Sequence, residues 1–253
     1  MKRILLCSFF TILFMIIVSL GLSSCLVIHT SGNRVSSSSL RGSGDREIFE
    51  FQVDEFKGLN VPGNMEIHYY ALSSDIVSLE IQPNLVDYYI VEVKDAVLTV
   101  RPIRGVNVSS GFRPVLSVST PVLESLSLSG SCTFTAHDRI SGDSFSLRLS
   151  GSGRSRAELD VERLDVRISG SGNVEFSGRA DTVDFNISGS GNLNALELQS
   201  REAAIRISGS GRVGISCSES LNIRTSGSGT VSYRGSPRVN INNSGSARVI
   251  NVD

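Results

Sequence analysis

One phrase recurs throughout the second half of this 253-residue chain: an alternating apolar strand followed by a Ser-Gly-Ser-Gly turn or a close variant. The first serines of these turns are Ser129, Ser150, Ser169, Ser188, Ser208, Ser226 and Ser244. Subtraction gives spacings of 21, 19, 19, 20, 18 and 18 residues. A regular period near twenty residues is typical of a solenoid, in which each repeat forms one coil. This period restricts the fold more than any other feature of the sequence.

Apolar residues alternate on both sides of each turn, as the stretch around Gly170 shows. Leu164, Val166 and Ile168 precede the turn, and Val174 and Phe176 follow it. Alternation with a period of two predicts strands with one buried face. No helix-length segment separates these strands, which excludes βαβ crossovers. The sequence therefore predicts an all-β solenoid whose coils stack directly and bury their apolar columns against one another.

Glycine at the turn has a steric interpretation and a functional one. Glycine adopts positive φ and carries no Cβ that would collide with the next coil of a stack. Backbone N–H groups of glycine-rich turns also bind anions in some proteins. No lysine follows these turns and no helix opens after them, so a P-loop is excluded. We favour the steric interpretation.

The N-terminus has the pattern of an export signal. Lys2 and Arg3 precede an apolar run from Ile4 to Leu20, and Leu22-Ser23-Ser24 leads to Cys25. Residues 1–24 therefore resemble a bacterial lipoprotein signal peptide, which implies lipidation of Cys25. A single transmembrane anchor is the alternative. Leu26, where an aspartate would suggest inner-membrane retention, favours the outer membrane, with the periplasmic or outer face left open.

The remaining chain divides into three segments by composition and periodicity. Residues 25–47 are rich in Ser, Gly and Arg without periodicity and predict a flexible tether. Residues 48–121 predict a less regular β section, with Pro62-Gly63-Asn64 as a turn and one helical turn after Pro83. Residues 122–253 predict the regular coils.

Two stretches of the β section resemble a known family. They read FEFQVDEFKGLNVPGNMEIHYY and VSLEIQPNLVDYYIVEVKDAVLTV, and the Ser-Gly turns follow them. Together they resemble the auto-transporter adhesin, head GIN domain family, a domain of unknown function in bacterial secreted proteins and lipoproteins. The resemblance implies a right-handed, single-stranded parallel β-helix and an adhesive role, and it implies no catalytic residues.

Outward positions just before the turns form a candidate site. Stacking at about 4.8 Å per coil aligns these positions into one column. In chain order they are Ser127, Arg148, Arg167, Asn186, Arg206, Arg224 and Asn242. The four arginines suit phosphate or carboxylate groups, because the planar guanidinium matches both. They therefore form a candidate ridge for a glycan or another envelope polyanion, and an ordinary solvated face is the alternative.

Catalytic chemistry finds little support in the sequence. Glycoside hydrolysis needs two carboxylates at a set separation, and the nearest pairs are Asp181 with Asp184 and Asp160 with Asp165. His29, His68 and His137 are separated along the chain, and we interpret them as isolated. No nucleophile elbow singles out one of the many serines. We expect a protein that is not an enzyme and needs no cofactor.

Cys132 and Cys217 remain after removal of the signal peptide. In the repeat register they lie about four coils, or roughly 19 Å, apart, which is too far for a disulfide. Neither has a second thiol or a histidine close by in sequence, so we predict small core residues and no metal site.

The sequence thus predicts a non-catalytic envelope lipoprotein that recognises a glycan or polyanion through one solenoid face. The formal net charge of −1 favours no nucleic-acid partner. One alternative is a structural protein that self-associates, because the strand from Arg248 to Val252 alternates like an internal coil without a polar cap. A polysaccharide lyase or hydrolase is the other alternative.

Overall fold

The computed structural model describes residues 39–253. In this part of the chain the only helix is the single turn α1 (Pro83–Val86). The strands, in chain order, are β1 (Ser39–Arg41), β2 (Glu47–Phe51), β3 (Gly58–Gly63), β4 (Glu66–Tyr70), β5 (Ile76–Ile81), β6 (Tyr89–Lys94), β7 (Val97–Pro102), β8 (Asn107–Ser109), β9 (Val115–Ser119), β10 (Ser125–Gly130), β11 (Thr133–Ala136), β12 (Ile140–Gly151), β13 (Arg154–Gly170), β14 (Asn173–Gly189), β15 (Asn192–Gly209), β16 (Arg212–Gly227), β17 (Thr230–Arg234), β18 (Arg238–Gly245) and β19 (Arg248–Asn251).

The strands form a parallel β-solenoid of about seven turns. From β12 to β16 each strand pairs in parallel with the next, so that Val166 lies beside Phe185 and Phe185 beside Ile205. A strand here runs from one Ser-Gly turn to the next, and four of them are 16 to 18 residues long. The predicted all-β solenoid with directly stacked coils is confirmed.

The core is a set of apolar columns inside the coils. Leu164, Val166, Ile168, Val174 and Phe176 are each at most 3% exposed. Equivalent residues of the neighbouring coils are buried to the same degree, and one continuous cluster runs from Phe56 to Val231. Each such side chain contributes roughly 1.5–3 kcal/mol relative to exposure, which no single coil could obtain alone.

Glycines at the turn lie in one file, and their close contact explains the residue type. Gly170 has a φ of +118°, and a Cβ at this position would be 2.6 Å from the carbonyl oxygen of Gly151. The pairing continues in register from Gly63 through Gly130 to Gly245. Any side chain in this file would therefore meet the backbone of the adjacent coil.

Spatial order departs from chain order at the N-terminal end. The first coil, β3 and β4, pairs on one side with β7 and β9, and on the other side with β10 and β11. Residues 71–124, which come between, form the layer on one side of this coil. The chain then returns to the other side of the coil, where β10 and β11 continue the stack. Because of this return, residues almost seventy positions apart in sequence become neighbours.

Antiparallel strands cover the N-terminal end of the solenoid. β5 pairs antiparallel with both β2 and β9, and β6 pairs antiparallel with β7. The β6–β7 hairpin turns at Asp95 and Ala96, which both have positive φ as a two-residue hairpin loop requires. α1 follows Pro83 as the sequence predicts, and it buries Leu85.

Residues 39–47 correct the predicted boundary of the tether at residue 47. β1 pairs in parallel with β8, and the side chain of Asn84 donates a hydrogen bond to the carbonyl of Arg41. Gln82 donates another to the carbonyl of Gly44. Polar side chains beside α1 therefore hold a segment whose own sequence has no periodicity. The predicted signal peptide, Cys25, His29 and the remainder of the tether lie outside the described residues.

At the C-terminal end the last coil has an exposed face. β18 pairs with β16, and β19 pairs with β17. Ile241 is 49% exposed, whereas its register partner Ile223 is 1% exposed. Within residues 39–253, no helix is long and apolar enough to cross a membrane.

Candidate binding face

The predicted ridge positions occupy one column of the solenoid. Pairing runs from Arg148 to Arg167 and Asn186, then to Arg206 and Arg224. Asn242 continues the column on the last coil. The side chains of this column point outward because their neighbours in sequence, such as Val166 and Ile168, point into the core.

A groove runs along this column. It has a volume of about 720 Å³. One wall is formed by the ridge from Arg167 to Asn242, and the other by the column of first serines of the turns, such as Ser188 and Ser208. Inward residues such as Ile187 lie between the walls. The groove follows the solenoid axis across several coils, so its shape suits an extended chain better than a compact ligand.

Aspartates neutralise part of the ridge. Asp165 is 3.3 Å from Arg167, and Asp184 is 2.9 Å from Arg206 while also accepting a hydrogen bond from Asn186. Arg148 and Arg224 form no ion pair with any residue of the 39–253 segment. The ridge therefore has two compensated arginines at its centre and an uncompensated arginine on either side.

Arginines pair with three of the four candidate catalytic carboxylates. Asp181 accepts two hydrogen bonds from Arg179, and Arg179 is also the register partner of Asp160. The other two aspartates, Asp165 and Asp184, belong to the ridge pairs. A glycosidase needs one carboxyl of raised pKa as its general acid. Three of these four carboxylates, those of Asp165, Asp181 and Asp184, instead form ion pairs with arginines.

Basic side chains lower the pKa of two surface carboxyls. Hydrogen bonding from Arg201 lowers the pKa of Glu219, and hydrogen bonding from Lys94 lowers that of Glu92. Both groups are on the surface. A lowered pKa stabilises the carboxylate form, which does not suit a proton donor at neutral pH.

The interpretation of His68 and His137 as isolated is wrong. Nδ1 of His68 lies 2.8 Å from Nε2 of His137. They meet because β11 returns onto β4 after residues 71–124 have formed the layer on the other side. Counting residues from the aligned turn glycines, Gly63 and Gly130, places them at the fifth and seventh positions of stacked strands. The Gly63 turn is visible in the sequence, but its alignment with Gly130 is a finding of the structure.

Both described cysteines are buried and free, which confirms that they form no disulfide with each other. Cys132 occupies the position of the second turn glycine in its coil, with Gly153 as its counterpart one coil on. Burial raises the pKa of the Cys132 thiol, which disfavours the thiolate. In residues 39–253, no group of three or more His, Cys, Asp or Glu side chains is placed to hold a metal ion.

Fold and site together define an adhesin-like β-solenoid that presents a repeated polar surface along its length. The chain belongs to the family described as "putative auto-transporter adhesin, head GIN domain", whose model matches residues 55–237. This match confirms the resemblance found in the sequence. Membership of this family supports export of the protein, its association with the cell envelope, and an adhesin-like or binding role.

Solved structures of similar fold come from species of Bacteroides and Parabacteroides. A putative adhesin from Bacteroides fragilis is 21% identical with a TM-score of 0.80, and covers 85% of this chain and 100% of its own. A putative lipid binding protein from Parabacteroides distasonis is 22% identical with a TM-score of 0.73, covering 85% and 100%. A putative adhesin from Parabacteroides merdae is 22% identical with a TM-score of 0.70, covering 85% and 99%.

At these identities the likeness shows the fold. The alignments span essentially the whole of those solved chains. In each of those structures, therefore, the solenoid folds without a further domain. No curated protein matches the chain.

Proposed function

We propose that this protein is a non-catalytic lipoprotein of the bacterial outer membrane that recognises a glycan or another polyanion of the envelope. The ridge of Arg148, Arg167, Arg206 and Arg224, together with the groove beside it, is the binding surface. The observation that carries the proposal is the alignment of these arginines and two asparagines in one column, beside which an open groove runs from Arg167 to Asn242.

Repetition is what suits this face to a polymer. Guanidinium groups bind carboxylate and phosphate through paired hydrogen bonds, and the amide groups of Asn186 and Asn242 offer both donors and acceptors. Successive coils present these groups at intervals of about 4.8 Å. A chain lying in the groove would contact several coils at once, so weak single contacts add up to useful affinity.

Charge compensation indicates which positions matter most. Asp184 forms a salt bridge with Arg206, and Asp165 forms one with Arg167. Each of these arginines must therefore release its aspartate before it can bind an anion. Arg148 and Arg224 have no such competition among the described residues. We therefore assign the principal anion contacts to Arg224, which lines the groove, and to Arg148, on the coil next to it, and a supporting role to the two compensated arginines.

The binding test uses residues 39–253 on an array of neutral and acidic glycans. Binding to acidic glycans by the unaltered segment supports the proposal, and the double variant Arg148→Ser/Arg224→Ser should reduce it at least tenfold. The matched control is Arg154→Ser/Arg212→Ser, which removes the same charge from a column on the other side of the turn. Equal losses in both double variants would indicate bulk charge and contradict a specific ridge.

Anchoring and location form a separate part of the proposal. Lipidation of Cys25 would tie the solenoid to the outer membrane, and the exported, envelope-associated character of the family supports this. Fatty-acid labelling of the full chain and of Cys25→Ser tests it. Labelling that survives the substitution would contradict lipidation at this residue. Protease treatment of intact cells distinguishes the surface from the periplasmic face.

Self-association is the second candidate function, and the exposed last coil favours it. Ile241, Ile250 and Val252 are 38–49% exposed, and a strand edge with apolar neighbours readily pairs with another chain. We propose that two copies meet through this coil. Light scattering should give a dimer that is lost on deletion of residues 249–253 and in Ile241→Asp. A dimer that is also lost in the control Ile48→Asp, at the opposite end of the solenoid, would contradict an interface at the last coil.

A further inference from the structure

Two imidazoles meet on the face that follows the Ser-Gly turn, across the turn from the arginine ridge. His68 lies at the centre of β4, and His137 comes directly after β11 on the next coil. Nδ1 of His68 and Nε2 of His137 are 2.8 Å apart, and the ring centroids are 5.0 Å apart. The rings thus face each other nearly end to end through these two nitrogens.

Neighbouring groups fix the protonation and the orientation of this pair. Oε1 of Glu66 is 3.3 Å from Nε2 of His68, which favours a proton on that nitrogen and leaves the lone pair on Nδ1. The ring of His137 stacks on Tyr70 with a centroid distance of 4.8 Å and an interplanar angle of 8°. A carboxylate behind one histidine is the arrangement that orients imidazole ligands in metal sites.

We propose that His68 and His137 bind one divalent metal ion of the copper or nickel type, through Nδ1 and Nε2 respectively. Imidazole suits these ions, which favour square-planar or tetragonal geometry. With metal–nitrogen bonds of about 2.0 Å, two adjacent corners of a square lie about 2.8 Å apart, whereas two corners of a tetrahedral zinc site lie about 3.3 Å apart. The observed separation of 2.8 Å is that of the hydrogen bond between the two nitrogens, so a square site would need the rings to tilt but not the nitrogens to move apart.

Binding requires a small rearrangement. The two nitrogens now share a hydrogen bond along the line that joins them, so each ring must tilt for both lone pairs to point at one ion. That ion displaces the proton from Nε2 of His137, and Nδ1 of the same ring takes up a proton from solvent, so both imidazoles remain neutral ligands. The remaining coordination positions belong to water or to an oxygen from a partner, since no third protein ligand is placed for the ion within the described part of the chain.

Charges around the pair favour a cation on balance. The carboxylates of Glu66 and Asp138 lie beside it, and Asp138 is fixed by a hydrogen bond from the backbone N–H of Ala71. Arg113 approaches the same face and donates a hydrogen bond to Thr133. Two carboxylates therefore offset one guanidinium and part of the ion's charge.

The test takes residues 39–253 without an affinity tag. This segment contains a hydrophobic core and matches essentially the whole of a solved neighbouring chain, so we expect it to fold without the residues before it. Its only histidines are His68 and His137, so no other imidazole competes for the ion. Isothermal titration with Cu²⁺ in the presence of glycine as a competitor should give one ion per chain. Electron paramagnetic resonance should show a tetragonal signal with coupling to two imidazole nitrogens.

Single variants separate ligands from bystanders. His68→Asn and His137→Asn should each weaken Cu²⁺ binding at least tenfold and remove the coupling to the second nitrogen. Glu66→Gln, which changes a positioning residue, should weaken binding severalfold while both nitrogens remain in the spectrum. The matched control is Glu175→Gln, the same charge change three coils away in the column of His68, and it should leave binding unchanged.

Several results would overturn the proposal. They are no stoichiometric ion in the unaltered segment, a signal with a single nitrogen, or a tight site that persists in His68→Asn/His137→Asn. Circular dichroism without metal shows whether each variant is folded. Melting curves give a second measurement, because only a protein that binds the ion in its native state melts at higher temperature when Cu²⁺ is added. None of these readouts depends on glycan binding.

Discussion

Arg206 holds the carboxylate of Asp184 from the adjacent coil, with its Nη1 2.9 Å from both carboxylate oxygens. The two residues are 22 positions apart in sequence and belong to neighbouring columns of one face. Both side chains are partly exposed, so the pair adds little to stability. Its main effect is on charge, because it neutralises the ridge near the middle of the groove.

Removing this carboxylate should strengthen polyanion binding. Asp184→Asn keeps the shape of the side chain and frees Arg206, so we expect elution from a heparin column at higher salt. The free energy of unfolding should change by less than about 1 kcal/mol. Asp184→Asn/Arg206→Ser should return to the original elution position. Earlier elution of the single variant would contradict an anion-binding role for this face.

The burial of each isoleucine in one inward column should determine how much stability is lost when its side chain is shortened to alanine. Ile205, Ile223 and Ile241 are register partners, but only Ile241 belongs to the exposed last coil. Ile205→Ala should lower the free energy of unfolding by about 2–5 kcal/mol, and Ile241→Ala, in the monomeric protein, by less than about 1 kcal/mol. Urea titration followed by circular dichroism measures both. Similar losses at the two positions would show that the last coil is covered in solution.

Backbone contact in the glycine file should make Gly170 intolerant of any side chain. Gly170→Ala combines an unfavourable positive φ with overlap against the carbonyl of Gly151, which predicts a loss of about 3 kcal/mol or more. Gly105 also has a positive φ, +82°, but open space around it. Gly105→Ala should therefore cost only about 1–2 kcal/mol. The difference between the two unfolding free energies isolates the contribution of stacking.

Burial of Tyr89 predicts a loss of stability in alkali. Desolvation raises the pKa of this phenol above its ordinary value of 10.0. Above pH 10 the unfolded chain therefore releases a proton that the folded chain retains, so stability falls as pH rises. Tyr89→Phe should remove that part of the decline and leave stability at pH 7 nearly unchanged. Urea midpoints at pH 7, 10 and 11 measure the effect, and parallel declines in both proteins would contradict it.

The regular coils could be predicted from sequence because their constraints are local. Alternation at Leu164, Val166 and Ile168 identifies the inward face, and the period identifies the stack. The same register places Arg167 beside Arg148. Because the same pattern recurs in every repeat, the structure inferred for one coil could be extended to the next.

The N-terminal section could not be predicted in the same way, because its pairings are set by distant segments. Nothing in the sequence near β4 indicates that β9 lies on one side of it and β11 on the other. The same return of the chain brings His68 to His137 and orders β1 against β8. These contacts follow from how residues 71–124 cover the open end of the first coil.

The glycine corner also determines where this molecule can change its length. All register shifts between adjacent long strands fall away from that corner, between Glu175 and Ser177 and between Ala195 and Glu202. An extra or missing residue in one coil is therefore accommodated within the strand, and the turn glycines stay in register. Duplication or loss of a whole coil, cut from corner to corner, would leave compatible surfaces on both sides. The protein can thus be lengthened or shortened in steps of about 4.8 Å, which makes the coil its natural unit of evolutionary growth.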